Sequence, residues 1–255
     1  MKRIAFFIGA LIALSGCSIL GNTQWDSAQL SSAMANAATA ASITDAQIVE
    51  LCKQSTAQLD AKNTIDNGAY NKRLQDLMKT ANVPGLPLNF KVYRTNEINA
   101  FASADGSVRV YSGLMDVMND DELIAVIGHE IGHVVKQHVK AGMKKAYMNA
   151  AARNVVNAAG ALGALSQGVL GDLAETLANS QYSQKMEYQA DDYGYEFAIA
   201  NGHTPYSMAN SLQKLVQLSG GSKASQLQNM FSDHPDNQKR ADRQREKADR
   251  LTGKK

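Results

Sequence analysis

Apolar residues recur along this chain in three rhythms, and each predicts a different kind of element. Residues 4–14 are an unbroken non-polar run of eleven behind the basic Lys2 and Arg3. That run falls well short of the ~20 residues a membrane-spanning helix needs. A helical rhythm follows. It predicts one helix over residues 43–63, opened by Thr44, and a second over 68–81, where Leu74, Leu77 and Met78 share a face. Past the breaker Val83-Pro-Gly-Leu-Pro87 the period drops to two. Three short strands are expected over 89–94, 97–103 and 107–111, with Ala104-Asp105-Gly106 as a hairpin turn.

Residues 120–135 are apolar nearly all round, through Leu123, Ile124, Val126, Ile127, Ile131, Val134 and Val135, so this helix is expected to be buried. Asn119 stands at its start with Glu122 three residues on, the capping-box spacing, and Asp120 and Asp121 suit the positive end of the helix dipole. Further helices are expected over 172–179, over 186–200 with Asn201-Gly202 as its C-cap, and over 205–219 with Thr204 as N-cap and Pro205 in the first turn. From Lys239 onward, interleaved charges give a solvated terminal helix. The fold class that results is α+β, mainly helical, with a small three-stranded sheet beside the buried helix.

Residues 141–170 are rich in Ala and Gly, and Arg153, Asn154 and Asn157 interrupt their longest apolar stretch. No run reaches ~18 residues, so a helix and mobile loop, either over a cleft or as a plain surface hairpin, is expected rather than a membrane span.

The leader ends in Leu14-Ser-Gly-Cys17, a bacterial lipoprotein box. It implies cleavage before Cys17 and lipidation of that residue. The division is then 1–16 signal peptide, 17–42 anchor and tether, and 43–255 a single domain of about 210 residues, large enough for a proper core. Ser18 rather than Asp after the cysteine is similar to lipoproteins sent to the outer membrane, which would place the domain in the periplasm. Lys2 and Arg3 leave with the leader, so the mature chain carries 24 basic residues against 24 acidic. That balance gives no basis for nucleic-acid binding. Cys52 is then without a partner for an intramolecular disulfide and is expected to be a buried or idle thiol.

The chemistry concentrates in His129-Glu-Ile-Gly-His133. At ~100° per residue the two histidines lie about 40° apart on one helix face, so both imidazoles reach one ion, and Glu130 stands close enough to take a proton from a metal-bound water. Two core histidines would give the same pattern, but a second carboxylate pair supports the metal. Glu187 and Asp191 are four apart, so one can bind the ion while the other accepts a hydrogen bond from a ligand imidazole. Two His and one Glu with an open position is the catalytic zinc arrangement. Gly128 and Gly132 weaken the helix by roughly 1 kcal/mol each, which makes sense if other backbone passes close by. His138, five residues beyond His133, falls about 140° round the same helix and is not expected to be a ligand. His203 is expected to be a surface or capping residue.

Together with Asp233-His234-Pro235 and Arg240, these segments resemble the HtpX-like gluzincin peptidases, over residues 45–248. The resemblance implies one zinc per chain held by His129, His133 and Glu187, with Glu130 as general base and Asp191 orienting a ligand histidine. It implies that Asn99, Ala100, Phe101 and Ala102 form a sheet edge along which an extended substrate pairs. A plain, covered edge is the alternative. His234 would stabilise the tetrahedral intermediate, or plug the resting zinc until substrate displaces it, or simply start a helix. The expected function is a zinc endopeptidase of the bacterial envelope acting on unfolded or misassembled envelope proteins. The alternative is a chaperone-like factor working with the outer-membrane assembly machinery. A membrane-embedded peptidase is disfavoured by the lack of spans.

Overall fold

The computed structural model describes residues 43–152 and 167–254. The leader, Cys17 and the tether to residue 42 lie outside the described residues, as do Arg153, Asn154 and Asn157. Thr44 closes a capping box with Gln47 and starts α1, Asp45–Lys62, as its sequence predicts. A two-residue strand, β1 (Ile65–Asp66), comes next, and α2 runs over Ala69–Leu77, stopping short of the expected residue 81 because Met78 already leaves helical geometry.

The sheet has four strands rather than three, in the order β1-β2-β4-β3, with β2 at Asn89–Tyr93, β3 at Ala100–Ala102 and β4 at Ser107–Tyr111. β1 was too short for a period-two signal, and it exists by pairing antiparallel with β2. β2 and β4 are parallel, from Asn89 opposite Ser107 to Tyr93 opposite Tyr111, and β3 pairs antiparallel with β4 across the expected hairpin. Gly106 turns that hairpin at φ 91°, and a Cβ there would collide with the Pro87 carbonyl. All five residues of β4 are buried. One of them is Arg109, only 2% exposed, whose guanidinium grips Asp60 of α1 through two bonds of 2.7 and 2.9 Å. Lys91 (2.7 Å) and Tyr93 (2.8 Å) reach the same carboxylate, tying α1 to the sheet.

α3 (Ser112–Val117) links the sheet to α4, Asp120–Val135, whose capping box closes as predicted at 2.9 Å in both directions. α4 packs on β3 and, most closely, on α7 (Gln184–Ala200). The glycines explain that closeness. A Cβ on Gly128 would sit 2.9 Å from Phe197, one on Gly132 3.1 Å from the Ala190 backbone, and one on Gly194 2.7 Å from the Ala125 carbonyl. The helix-weakening glycines of α4 therefore let two backbones meet beside the His-Glu-x-x-His turn.

The expectation that α4 continues through His138 is corrected by the structure. Gln137 adopts φ 66°, in the left-handed region, and a new helix, α5 (His138–Ala152), sets off from there. α6 (Gln167–Ala178) begins before the expected residue 172. α8 covers Ser207–Ser219, not 205–219. Thr204 caps a turn instead, its hydroxyl accepting from Tyr206 N and its carbonyl from Ser207 N. A 3-10 turn at Ala224–Leu227 and the short α9 (Gln228–Asp233) lead to the terminal α10, Asn237–Thr252, which packs on α8. Among the described residues no helix is long and apolar enough to cross a membrane.

Candidate metal centre and active site

One helical turn separates His129 from His133 on α4, and their Nε2 atoms stand 3.0 Å apart. Glu187 enters from the first turn of α7, fixed by the Ser183 N-cap. Its Oε1 lies 3.4 Å from His133 Nε2 and its Oε2 3.6 Å from His129 Nε2. A tetrahedral zinc with bonds of about 2.0–2.1 Å separates its ligand atoms by about 3.3 Å, so the three donors have the spacing such an ion demands. His234, at the C-cap of α9, completes a fourth corner, with Nδ1 3.3 Å from His129 Nε2 and 3.1 Å from Glu187. The four donor groups lie within 4.8 Å of one another, all buried.

Glu130 is 4% exposed, and its Oε1 has no hydrogen-bond partner, with His234 Nε2 3.7 Å away. A buried carboxylate oxygen without a donor costs free energy unless something not of the protein meets it. Burial pushes the Glu130 carboxyl up, against the attraction of His234 and His129. Burial also opposes the ionisation of Glu187, yet His234 and His133 outweigh it and hold this carboxyl far below the usual range. For His234 burial again disfavours charge, but Glu187 and Glu130 lift its pKa to about 9. The pair of carboxylates thus attracts positive charge beyond that of the nearby Arg240, from a proton on His234 or from a cation.

Asp191 lies one turn beyond Glu187, and its Oδ1 stands 2.9 Å from His129 Nδ1. Arg240 of α10, 1% exposed, clamps Asp191 through bonds of 2.8 and 2.6 Å and reaches Glu187 Oε2 at 2.7 Å. Burial works against the Asp191 carboxylate, but Arg240 overcomes it and brings its pKa down to about 2. Arg240 also donates to Asn237 Oδ1 at 3.0 Å. Val126, Met208, Leu212 and Met230 form an apolar wall beside His129, Glu130 and His234.

His133 is held by residues that sequence reasoning did not assign. The Tyr182 ring stacks on it at 3.8 Å and 25°. His138, set aside on helix geometry, comes to 3.1 Å between the two Nδ1 atoms, because the chain breaks at Gln137. Nothing in the residue type of Gln137 announces that break. His203 is, as expected, peripheral, bonded to Asp121. Cys52 is buried, and burial pushes its thiol up to about 11.

Ala100, Phe101 and Ala102 form the end strand of the sheet, and Asn99 precedes it, its carbonyl accepting from Tyr111 N. The main-chain groups of Ala100 and Ala102 alternate away from β4, and Asn99 Oδ1 takes the Ala100 N–H at 2.9 Å. The structure therefore gathers His129, His133, Glu187, His234, Glu130, Asp191 and Arg240 in one place, sets the strand against α4, and leaves Cys17 outside the described residues.

A histidine pair one turn apart, a glutamate from a second helix and, between the histidines, a buried glutamate with one oxygen lacking a hydrogen-bond partner define a metallopeptidase of the gluzincin type. The chain belongs to peptidase family M48, whose model matches residues 65–248. It is 45% identical to Metalloprotease LoiP of Escherichia coli (strain K12), over 91% of this chain and 92% of that protein. It is 40% identical to Metalloprotease YcaL of the same organism, covering 81% and 82% of the two chains. The Beta-barrel assembly-enhancing protease of Yersinia pestis is 32% identical over 56% of this chain and 31% of its own length. Residues 1–18 match a prokaryotic membrane lipoprotein lipid attachment site, so the peptidase is a lipid-anchored protein of the cell envelope.

Proposed function

We propose that this chain is a zinc endopeptidase that clears unfolded or misassembled envelope proteins, with His129, His133 and Glu187 holding one zinc. The observation that carries the proposal is the orphaned Glu130 Oε1 beside donors at tetrahedral spacing. When bound, zinc supplies the Lewis acidity that polarises a scissile carbonyl and acidifies water. Glu130, whose affinity for a proton is raised by burial, takes the proton of the attacking water and passes it to the leaving amine. Asp191 fixes the His129 ring with Nδ1 protonated, leaving Nε2 free to bind, and Arg240 keeps that carboxylate in place.

His234 fills the remaining corner of the donor set, so it acts as a resting plug that an entering substrate displaces, and substrate backbone pairs along Asn99, Ala100, Phe101 and Ala102. The chain would divide into a leader over 1–16, an anchor and tether over 17–42 and the peptidase over 43–255. Cys17 carries the lipid and Ser18 directs the protein to the outer membrane, with the peptidase facing the periplasm. The name of the beta-barrel assembly-enhancing relatives, together with the filled fourth corner, supports a second reading in which the protein mainly holds or escorts outer-membrane proteins and cleaves seldom. Cleavage of an unfolded protein by zinc-loaded full chain and by His234→Ala separates the two. The plug predicts faster cleavage by the variant at unchanged zinc content. Cleavage by neither, with zinc bound, favours the holding role.

A further inference from the structure

The two histidines of α4 are held from behind in different ways, and only one of those ways is explained by the assignments above. His129 Nδ1 faces the carboxylate of Asp191, itself clamped by Arg240. His133 Nδ1 has no carboxylate. It faces the Nδ1 of His138 at 3.1 Å, a side chain only 5% exposed. The other nitrogen of His138, Nε2, lies 3.1 Å from Oε1 of Gln189, on the same α7 that supplies Glu187 and Asp191. His138 occupies this place because Gln137 bends the chain at φ 66°. A left-handed residue other than glycine is strained, and such outliers persist where the surroundings over-determine them.

Two nitrogens at hydrogen-bond distance require one proton between them, and the donor set decides which carries it. His133 points Nε2 at the cluster, where a lone pair is needed, so the proton of its neutral ring is on Nδ1. His138 Nδ1 must then accept, which puts the His138 proton on Nε2, opposite the Gln189 carbonyl oxygen that can only accept. All three groups are satisfied by one arrangement of protons.

We infer that His138 is a positioning residue for the metal centre, accepting the His133 Nδ1 proton and fixing, with Gln189 behind it, the tautomer and ring orientation in which His133 binds the ion. This rests on the reading of His133 as a ligand. A neutral acceptor on His133 and an anionic one on His129 make the two ligands unequal, with His129 the stronger donor.

The test uses the full chain in detergent, with zinc affinity measured by competition against a chromophoric chelator. His138→Leu is expected to bind zinc about 10–100-fold more weakly, with the thermal midpoint of the chelator-treated protein unchanged. His138→Asn, which returns an acceptor oxygen near the Nδ1 position, should recover most of the loss. Nitrogen-15 imidazole spectra of the zinc-loaded wild type, which has five histidines to assign, should find His133 protonated on Nδ1 and His138 on Nε2. The spectra decide the matter even where His138→Leu fails to fold. His133→Ala keeping wild-type zinc affinity would remove the ligand reading itself. His133→Ala losing zinc while His138→Leu binds as wild type, or His138 carrying its proton on Nδ1, would overturn this inference alone.

Discussion

Asp191 serves two neighbours with one carboxylate, His129 at 2.9 Å and Arg240 at 2.6 Å, and it is fully buried. Its removal would leave the His129 ring free to turn and the Arg240 guanidinium short of a counter-charge. Asp191→Ala is therefore expected to lower zinc affinity about 10–100-fold, read by chelator competition. An unchanged affinity would remove its orienting role. At this scale the sequence was informative wherever a helix converts spacing into direction. His129, His133, Glu187 and Asp191 were legible because residues four apart share a face. His234 caps the end of α9 and Arg240 lies on α10, both far along the chain, and no periodicity relates them to α4; only a family resemblance pointed to them. His138 is outside the donor set, as expected, but its approach to His133 could not be foreseen, because the φ 66° that turns the chain at Gln137 has no signature in a glutamine.

At the scale of elements, the close contact of α4 and α7 decides where the donors stand. Gly194 is the tightest point, since an added Cβ would press on the Ala125 carbonyl at 2.7 Å and the His129 amide nitrogen at 2.9 Å. Backbone cannot yield as a flexible side chain does. Gly194→Ala should cost about 1–3 kcal/mol of stability, measured by urea unfolding of the metal-free protein, and weaken zinc binding as α7 moves away. A wild-type unfolding curve would contradict the packing described. The glycines in α4 foretold this approach, although α7 as the partner was not readable from them. Helix starts at Thr44 and Asn119 were legible because both capping boxes close locally. Thr204-Pro205 misled, because a serine or threonine before proline serves a turn as readily as a helix, and the helix begins at Ser207. β1 was illegible because two residues carry no rhythm, and pairing with β2 alone makes them a strand.

Over the whole molecule, the sheet and α1 are joined by an ion pair between a buried arginine and a partly buried aspartate, which no sequence motif announces. Arg109 is 2% exposed and its principal anionic partner is Asp60. Burial disfavours the Asp60 carboxylate, but the bonds from Arg109, Lys91 and Tyr93 prevail and hold its pKa below the ordinary value. Removing one member of such a pair strands the other, so Asp60→Leu should destabilise by about 3–5 kcal/mol, while the double variant with Arg109→Met regains much of that loss. Because the folded pKa is depressed, the contribution is fully present above the unfolded value of about 3.9 and is lost as pH falls through the folded one. Stability of the wild type should therefore decline more steeply below about pH 4 than that of the Asp60 variant. Parallel acid titrations would contradict this account of the pair.

In the proposed function a single metal ion and Glu130 perform peptide hydrolysis together. Metal content and cleavage of an unfolded protein, measured side by side for the purified full chain and Glu130→Gln, put this to the test. One zinc per chain is expected in both proteins, with a rate about 10²–10⁴-fold lower in the variant. Equal cleavage by the two, or a wild type that cleaves without binding metal, would contradict it.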